Sequence, residues 1–328
     1  MKKQIKLKYP LLFFIPVLIV LFGVSNYARA LTIAPARIEL SGDPGQTLSG
    51  EIEIINEESS NKTFFTSFEN FEPRGDSGAP YFVGAKDGLA TWIKSISSVQ
   101  IGKGENKLIP YSITIPKNTE PGGYFAAIFF GTTPVNTQSG GEVSIGGRIG
   151  ALVLLRVNGD IKEGGGLNEF MTNGGQRFFS SLPVSFFYRL NNTGGDRIVP
   201  LGEISFKNMI RLTADKISAN KKEGSVLPNS IRKFDVIWGE SLIPQNGEDT
   251  AGFFTIAWKQ LQNFRFGWYT AVLNLTWGNT NQTGSASYNF FIIPWQLLIL
   301  IVVALLLIFM SVKRYNKFIV SSATKKHQ

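Results

Sequence analysis

The chain has 328 residues, no cysteine and one histidine, and its 33 lysines and arginines against 24 acidic residues give a formal charge of +9. With no thiol, and its imidazole confined to His327 near the end, the body of the chain excludes Ser-His-Asp and Cys-His catalysis and zinc sites built on those side chains. The positive charge is segregated: Lys2, Lys3, Lys6, Lys8 and Arg29 lie at the start, and Lys313, Arg314, Lys317, Lys325 and Lys326 at the end. Taking those ten from 33 leaves 23 basic residues against 24 acidic ones, a net of −1, so the middle of the chain carries no electrostatic footprint for nucleic acid.

In chain order, the basic start is followed by an apolar run, Leu11 to Val24, and by Ala28-Arg29-Ala30. Small residues at Ala28 and Ala30 fit the −3 and −1 positions of a cleavage site, so 1–30 reads as a secretory signal peptide. LTIAPARIEL then reads as an opening strand. TLSGEIEIIN alternates, with Leu48, Ile52 and Ile54 on one face and Glu51 and Glu53 on the other, the period of a half-buried strand. TFFTSFENF, LATWIKSISSVQI, KLIPYSITIP, GGYFAAIFFG and RIGALVLLRVNG continue the series, with Trp92 as a core anchor. Turn residues separate them, and no amphipathic helix is expected. GGYFAAIFFG is apolar on both faces, which suits the interior of a sheet.

The stretch 160–176 is glycine-rich and reads as a flexible linker. A second strand series follows: SLPVSFFYRLNN, RIVPLGEISFKN, RLTADKIS, IRKFDVIW, AGFFTIAW, GWYTAVLNLTWG and SASYNFFII. Short strands at regular spacing indicate sandwiches. From Phe290 to Val312 only Gln296 and Ser311 are plainly polar. A bilayer core about 30 Å thick needs roughly 20 apolar helical residues, so 293–312 is expected to span a membrane. Trp295 and Tyr315 sit where interfacial aromatics belong, and Lys313 and Arg314 place the tail 313–328 in the cytoplasm.

Two stretches of the first half carry a family resemblance. "LTIAPARIEL…PGQTLSGEIEIIN" and "IPYSITIPKNTEPGGYFAAIFFG" resemble the extracellular domains of WxL-interacting proteins of Gram-positive cell surfaces, and more distantly pilus-chaperone-type sandwiches. The layout of signal, two domains, helix and basic tail is similar as well. The resemblance implies an Ig-like fold and, for the first domain, an association with peptidoglycan. The second domain departs from the family pattern, so a host-binding role is not carried over. Trp295-Gln296-Leu297 spells WxL but reads as a membrane-boundary anchor.

The expected architecture is therefore all-β: two tandem Ig-like β-sandwich domains, 31–159 and 177–292, followed by a single transmembrane helix. The expected activity is binding rather than catalysis. Two carboxylates alone would permit a glycosidase, but the spacing of the acids points to none. No cofactor, metal or small-molecule substrate is expected. The expected partners are the membrane, crossed once with the N-terminal part outside, and a cell-wall polymer or another surface protein. The competing reading is chaperone-like assembly by strand addition. Two stretches are candidate contact points. Ala34-Pro35-Ala36 holds a proline that confines it largely to a sheet edge, as a docking edge or as a protected one. Arg74-Gly75-Asp76 lies in an expected loop and reads as a recognition tripeptide or a plain turn. Trp238, Trp258, Trp268 and Trp277 read as core residues of the second sandwich.

Overall fold

The computed structural model describes residues 31–134, 147–243 and 252–325. The signal segment with Ala28 and Ala30 lies outside the described residues. The first domain begins with β1 (Leu31–Ala34), β2 (Arg37–Gly42), β3 (Thr47–Asn56), β4 (Lys62–Arg74) and β5 (Ala79–Val83). A single-turn helix α1 (Leu89–Trp92) follows, then β6 (Ile93–Ser95), β7 (Ser98–Ile101), β8 (Asn106–Thr114), β9 (Gly122–Gly131) and β10 (Arg148–Val157). One sheet has the order β1-β3-β8-β6. The other has β2-β10-β9-β4-β5, with β7 also on β4. All pairs are antiparallel except β2 with β10.

The alternation in β3 sorts its side chains as physics requires: Ile52 and Ile54 are buried, while Glu51 is exposed. They meet Ile109 and Ile113 of β8 and Phe64, Ile128 and Phe130 across the sandwich in one core. β9 lies between β10 and β4, and Ala126–Phe130 are all buried. Its outer face is covered too. Phe82 stands edge-on to Phe129 at 4.8 Å, and the Arg148 guanidinium lies 4.0 Å from the same ring. Trp92 is half-buried, packed on Tyr124 at 4.8 Å. LATW is helical rather than extended, so the strand expected over LATWIKSISSVQI is a turn of helix followed by β6 and β7.

The second domain holds β11 (Gly165–Thr172), β12 (Phe178–Phe179), β13 (Val184–Asn192), β14 (Leu201–Lys207), β15 (Thr213–Ser218) and β16 (Ser230–Trp238). It continues with helix α2 (Phe253–Gln262), β17 (Gly267–Trp277) and β18 (Gln282–Ile292). Its sheets are β11-β13-β16 and β12-β18-β17-β14-β15. The expected linker is thus corrected: β11 lies inside 160–176 and pairs with β13, and Phe170 belongs to the second core. Gly165 there allows close approach, since a Cβ would lie 2.8 Å from the Asn191 carbonyl oxygen of β13. At Gly202 in β14, with φ near +153°, a Cβ would lie 2.0 Å from the Asn274 carbonyl oxygen of β17.

The second core is aromatic. The Trp238 ring stacks on Phe206 at 4.1 Å and 7°, and Phe290 meets Phe186 at 5.4 Å. Buried asparagines close a strand in each domain. Asn56 donates to Ser60 O and Ile101 O, and Asn192 donates to Asp196 O and Val226 O. Both tie the end of their strand to main-chain carbonyls of neighbouring segments, which satisfies the buried amides. The chain therefore forms two tandem Ig-like sandwiches and ends in α3 (Trp295–Lys325). The Trp295–Lys317 segment of α3, 23 residues that include an apolar stretch of mean hydropathy 2.8, is long and apolar enough to cross a membrane. Only 11% of its most apolar window is buried, which removes the alternative of a core helix.

Candidate functional site

A binding module made of sandwiches can recognise a partner in a cleft, at a loop or along a sheet edge. The cleft between the domains, about 430 Å³, is lined by charged side chains including Glu39, Arg156, Asp196 and Arg197. Its arginines are engaged: Arg156 bonds Asp196 at 2.7 Å and Arg197 bonds Glu39. Gly123 N–H also donates to Gly195 O at 2.9 Å. These bonds join the two sandwiches, so the cleft works as a joint.

The candidate loop has the same role. Arg74-Gly75-Asp76 forms the tip between β4 and β5. Its Asp76 carboxylate accepts from Arg189 Nε of the second domain at 3.0 Å, and its carbonyl accepts from Lys233 N–H at 2.7 Å. Arg189 is shared with Glu169, and the two carboxylates hold its guanidinium above the usual arginine range. Arg74 is exposed. The tripeptide thus makes a contact within the chain, with the Asp76 side chain 44% exposed.

The sheet edges remain, and most are managed. The Asp76 carbonyl sits on the outer edge of β16 through Lys233 N–H. β15 is exposed and carries Asp215 and Lys216, and β5 contains Pro80. Charge and proline are the usual guards of an edge. Ala34-Pro35-Ala36 is an exposed corner. β1 pairs with β3 in one sheet, β2 pairs with β10 in the other, and the chain changes sheets at Pro35. Ala36 O already accepts from Leu152 N–H at 2.9 Å, so part of that corner's main chain is engaged.

β18 differs from all of these. All eleven of its residues pair with β17, but on its other side only Phe291 and Ile292 pair, with the two-residue β12. Phe291 N–H donates to Arg177 O at 2.7 Å and Ile293 N–H to Phe179 O at 2.8 Å. Strand alternation then points the N–H and C=O groups of Thr283, Ser285, Ser287 and Asn289 the same way, where among the described residues they meet no backbone partner. β11 lies alongside without a ladder, and the Tyr288 hydroxyl donates to Gly175 O at 2.8 Å. From Gln282 to Ile292 the strand holds no charge and no proline. Sequence reasoning found this strand but missed its bare edge. The local signal was the run of small uncharged residues, QTGSASYN.

Two of the four tryptophans also depart from expectation. Trp238 and Trp277 are core, while Trp258 and Trp268 are 61% and 50% exposed. Trp258 lies on α2, where AGFFTIAW had read as a strand. Among the described residues no group of three or more histidine, cysteine or acidic side chains is placed to hold a metal ion.

No protein-family model and no curated protein matches the chain. Among solved structures it is similar to the class 5 fimbriae chaperone CfaA, at 12% identity over 80% of this chain and 99% of that one, with a TM-score of 0.38. It is also similar to the CsuC–CsuE chaperone–tip adhesion subunit pre-assembly complex from archaic chaperone-usher Csu pili of Acinetobacter baumannii, at 12% identity, 79% and 97% coverage and a TM-score of 0.35. The E. coli chaperone DraB gives 9% identity, 80% and 97% coverage and 0.35. These neighbours are of the pilus-chaperone type, the more distant of the two resemblances in the sequence. At such scores no residue role transfers from them.

Proposed function

We propose that the protein is a membrane-anchored binding protein of the cell exterior that holds an extended segment of another surface protein by strand addition. The observation that carries this reading is the bare edge of β18, beside the apolar helix. Main-chain groups of four alternate residues face outward there, and an added strand would satisfy them with a ladder while side-chain contacts set its choice of partner. The signal read in 1–30, the length of α3 and the basic flank Lys313-Arg314 support export with the sandwiches outside and the tail in the cytoplasm. The charged joint between the domains supports a rigid two-domain body that presents the edge. This reading takes up assembly by strand addition and leaves a wall polymer as the less supported ligand.

The test places a photo-crosslinking residue at Ser285 in intact cells, with one at exposed Asn118 of the first domain as control. A discrete adduct with a second protein is expected at Ser285 only. It should vanish with Ser287→Pro, which removes an outward N–H, and persist with Pro35→Val. An adduct that survives Ser287→Pro, or none beyond the control, sinks the reading. Loss with Pro35→Val instead would move the docking edge to Ala34-Pro35-Ala36.

A further inference from the structure

Helix α2 is built inside out. In a water-facing helix the apolar stripe turns to the core and the polar face to solvent. Here the buried residues are Ala257 and Gln260, one small and one polar. Phe254, Trp258 and Leu261, spaced i, i+4 and i+7 on one face, are 73%, 61% and 52% exposed. The chain that follows continues the pattern, with Phe264, Phe266 and Trp268 each about half exposed. Lys259 and Arg265 are interspersed among these aromatics.

The inward Gln260 explains where this face lies. Its Nε2 donates to Gln296 Oε1 at 2.6 Å and to Ser180 O at 3.1 Å, and its Oε1 accepts from Leu297 N–H at 3.0 Å. Gln296 and Leu297 are in the first turn of α3, and that turn leaves N–H groups without helical partners. Phe253 packs on Trp295 of the same turn at 5.8 Å. α2 is therefore clamped at the level where α3 begins its apolar segment.

We infer that the exposed face of α2, with the segment through Trp268, is a lipid-docking surface that rests among the phosphate headgroups and upper acyl chains of the bilayer. The inference rests on α3 crossing that bilayer. The composition fits the place: aromatic rings with an apolar body, and cations among them for phosphodiester groups, are what an interfacial helix presents. A soluble partner for this face would have to occupy the level of the headgroups itself. The surface would fix the tilt and rotation of the second sandwich over the membrane, which a single helix leaves free.

The absence of cysteine makes a direct test possible. Single spin labels are placed at Trp258→Cys and Leu261→Cys, at Leu306→Cys within α3 and at Asn118→Cys in the first domain. The full chain is reconstituted in phosphatidylcholine–phosphatidylglycerol vesicles, and collision with oxygen is compared with collision with a water-soluble nickel chelate. Labels at 258 and 261 are expected to favour oxygen several-fold over the label at 118, with the label at 306 deeper still. If 306 is in lipid but 258 and 261 meet the nickel chelate as freely as 118, the docking surface is overturned and the anchor stands. If 258 and 261 are shielded from both reagents, protein covers them and the inference is again overturned. If 306 itself is water-exposed, the anchor fails and the inference with it.

Discussion

The first sandwich covers its faces with its own chain, whereas the second leaves β18 bare and turns the large side chains of α2 outward. In the first, β2 runs along β10, an aromatic layer capped by Arg148 shields the outside of β9, and the β4–β5 tip reaches across to occupy β16. In the second, a nine-residue length of edge lacks a backbone partner among the described residues, and a row of aromatics packs on one side while staying about half or more exposed on the other. Edges and apolar faces left in water invite aggregation. On the proposed reading, the contrast arises because the second domain meets two environments besides water: an apolar one at the root of α3, and a partner strand.

The cores differ in kind, and this gives the largest effect to test. The first is mainly isoleucine, valine and leucine, and the second centres on the Phe206–Trp238–Phe290 group. Trp238→Ala removes a fully buried ring and leaves Asp215 without the indole N–H that it accepts at 2.8 Å. A loss of about 3–5 kcal/mol is expected, confined to the second domain in calorimetry of the detergent-solubilised chain. A first domain that melts earlier by the same amount would break the comparison by showing one cooperative unit.

Arg189→Ala has a smaller effect, on the joint. It releases Asp76 and Glu169 together, and all three groups are partly exposed, so solvent screening keeps the stability change small. The distribution of distances between spin labels on the two domains should broaden. An unchanged distribution would mean that the remaining bonds, among them Arg156–Asp196, Arg197–Glu39 and the backbone bonds at Gly123 and Lys233, hold the domains without Arg189.

The smallest effect is a pH dependence. The Glu163 carboxylate accepts from the Thr280 hydroxyl and from the Thr280 and Asn279 N–H groups, which hold its pKa below the ordinary carboxylate range. A lowered folded pKa means that the stabilisation is complete above the ordinary value and is lost as pH falls through the lowered one. Amide protection at Asn279 and Thr280 should therefore drop in acid, and Glu163→Gln should remove that step. Protection that ignores pH would show that the β17–β18 turn needs no clamp.

How much of this was legible depended on range. Period-2 strands such as β3 and the interior position of β9 follow from local pattern, and so does α3. The β11 strand was hidden by glycine pairs that read as a linker. α2 was hidden by aromatic composition that reads as strand, although the spacing of Phe254, Trp258 and Leu261 was helical. The partners of Asp76 could not be read at all, because Arg189 is 113 positions away and only the docking of two domains brings them together. Edge status is non-local in the same way: nothing within QTGSASYN says which strands lie beside it.

Only Ile293 and Pro294 stand between the last residue of β18 and the first of α3. Tension on the anchor therefore enters the strand at its end and runs along it. The ladder to β17, paired at eleven positions, carries that pull in shear, with many hydrogen bonds loaded together. A segment added to the free side of β18 would be loaded the same way, since its bonds would lie across the line of force. Peeling would break such bonds one after another, whereas sliding must break them in concert, so on the proposed reading the strand that offers a binding edge would also serve as a tensile link to the membrane.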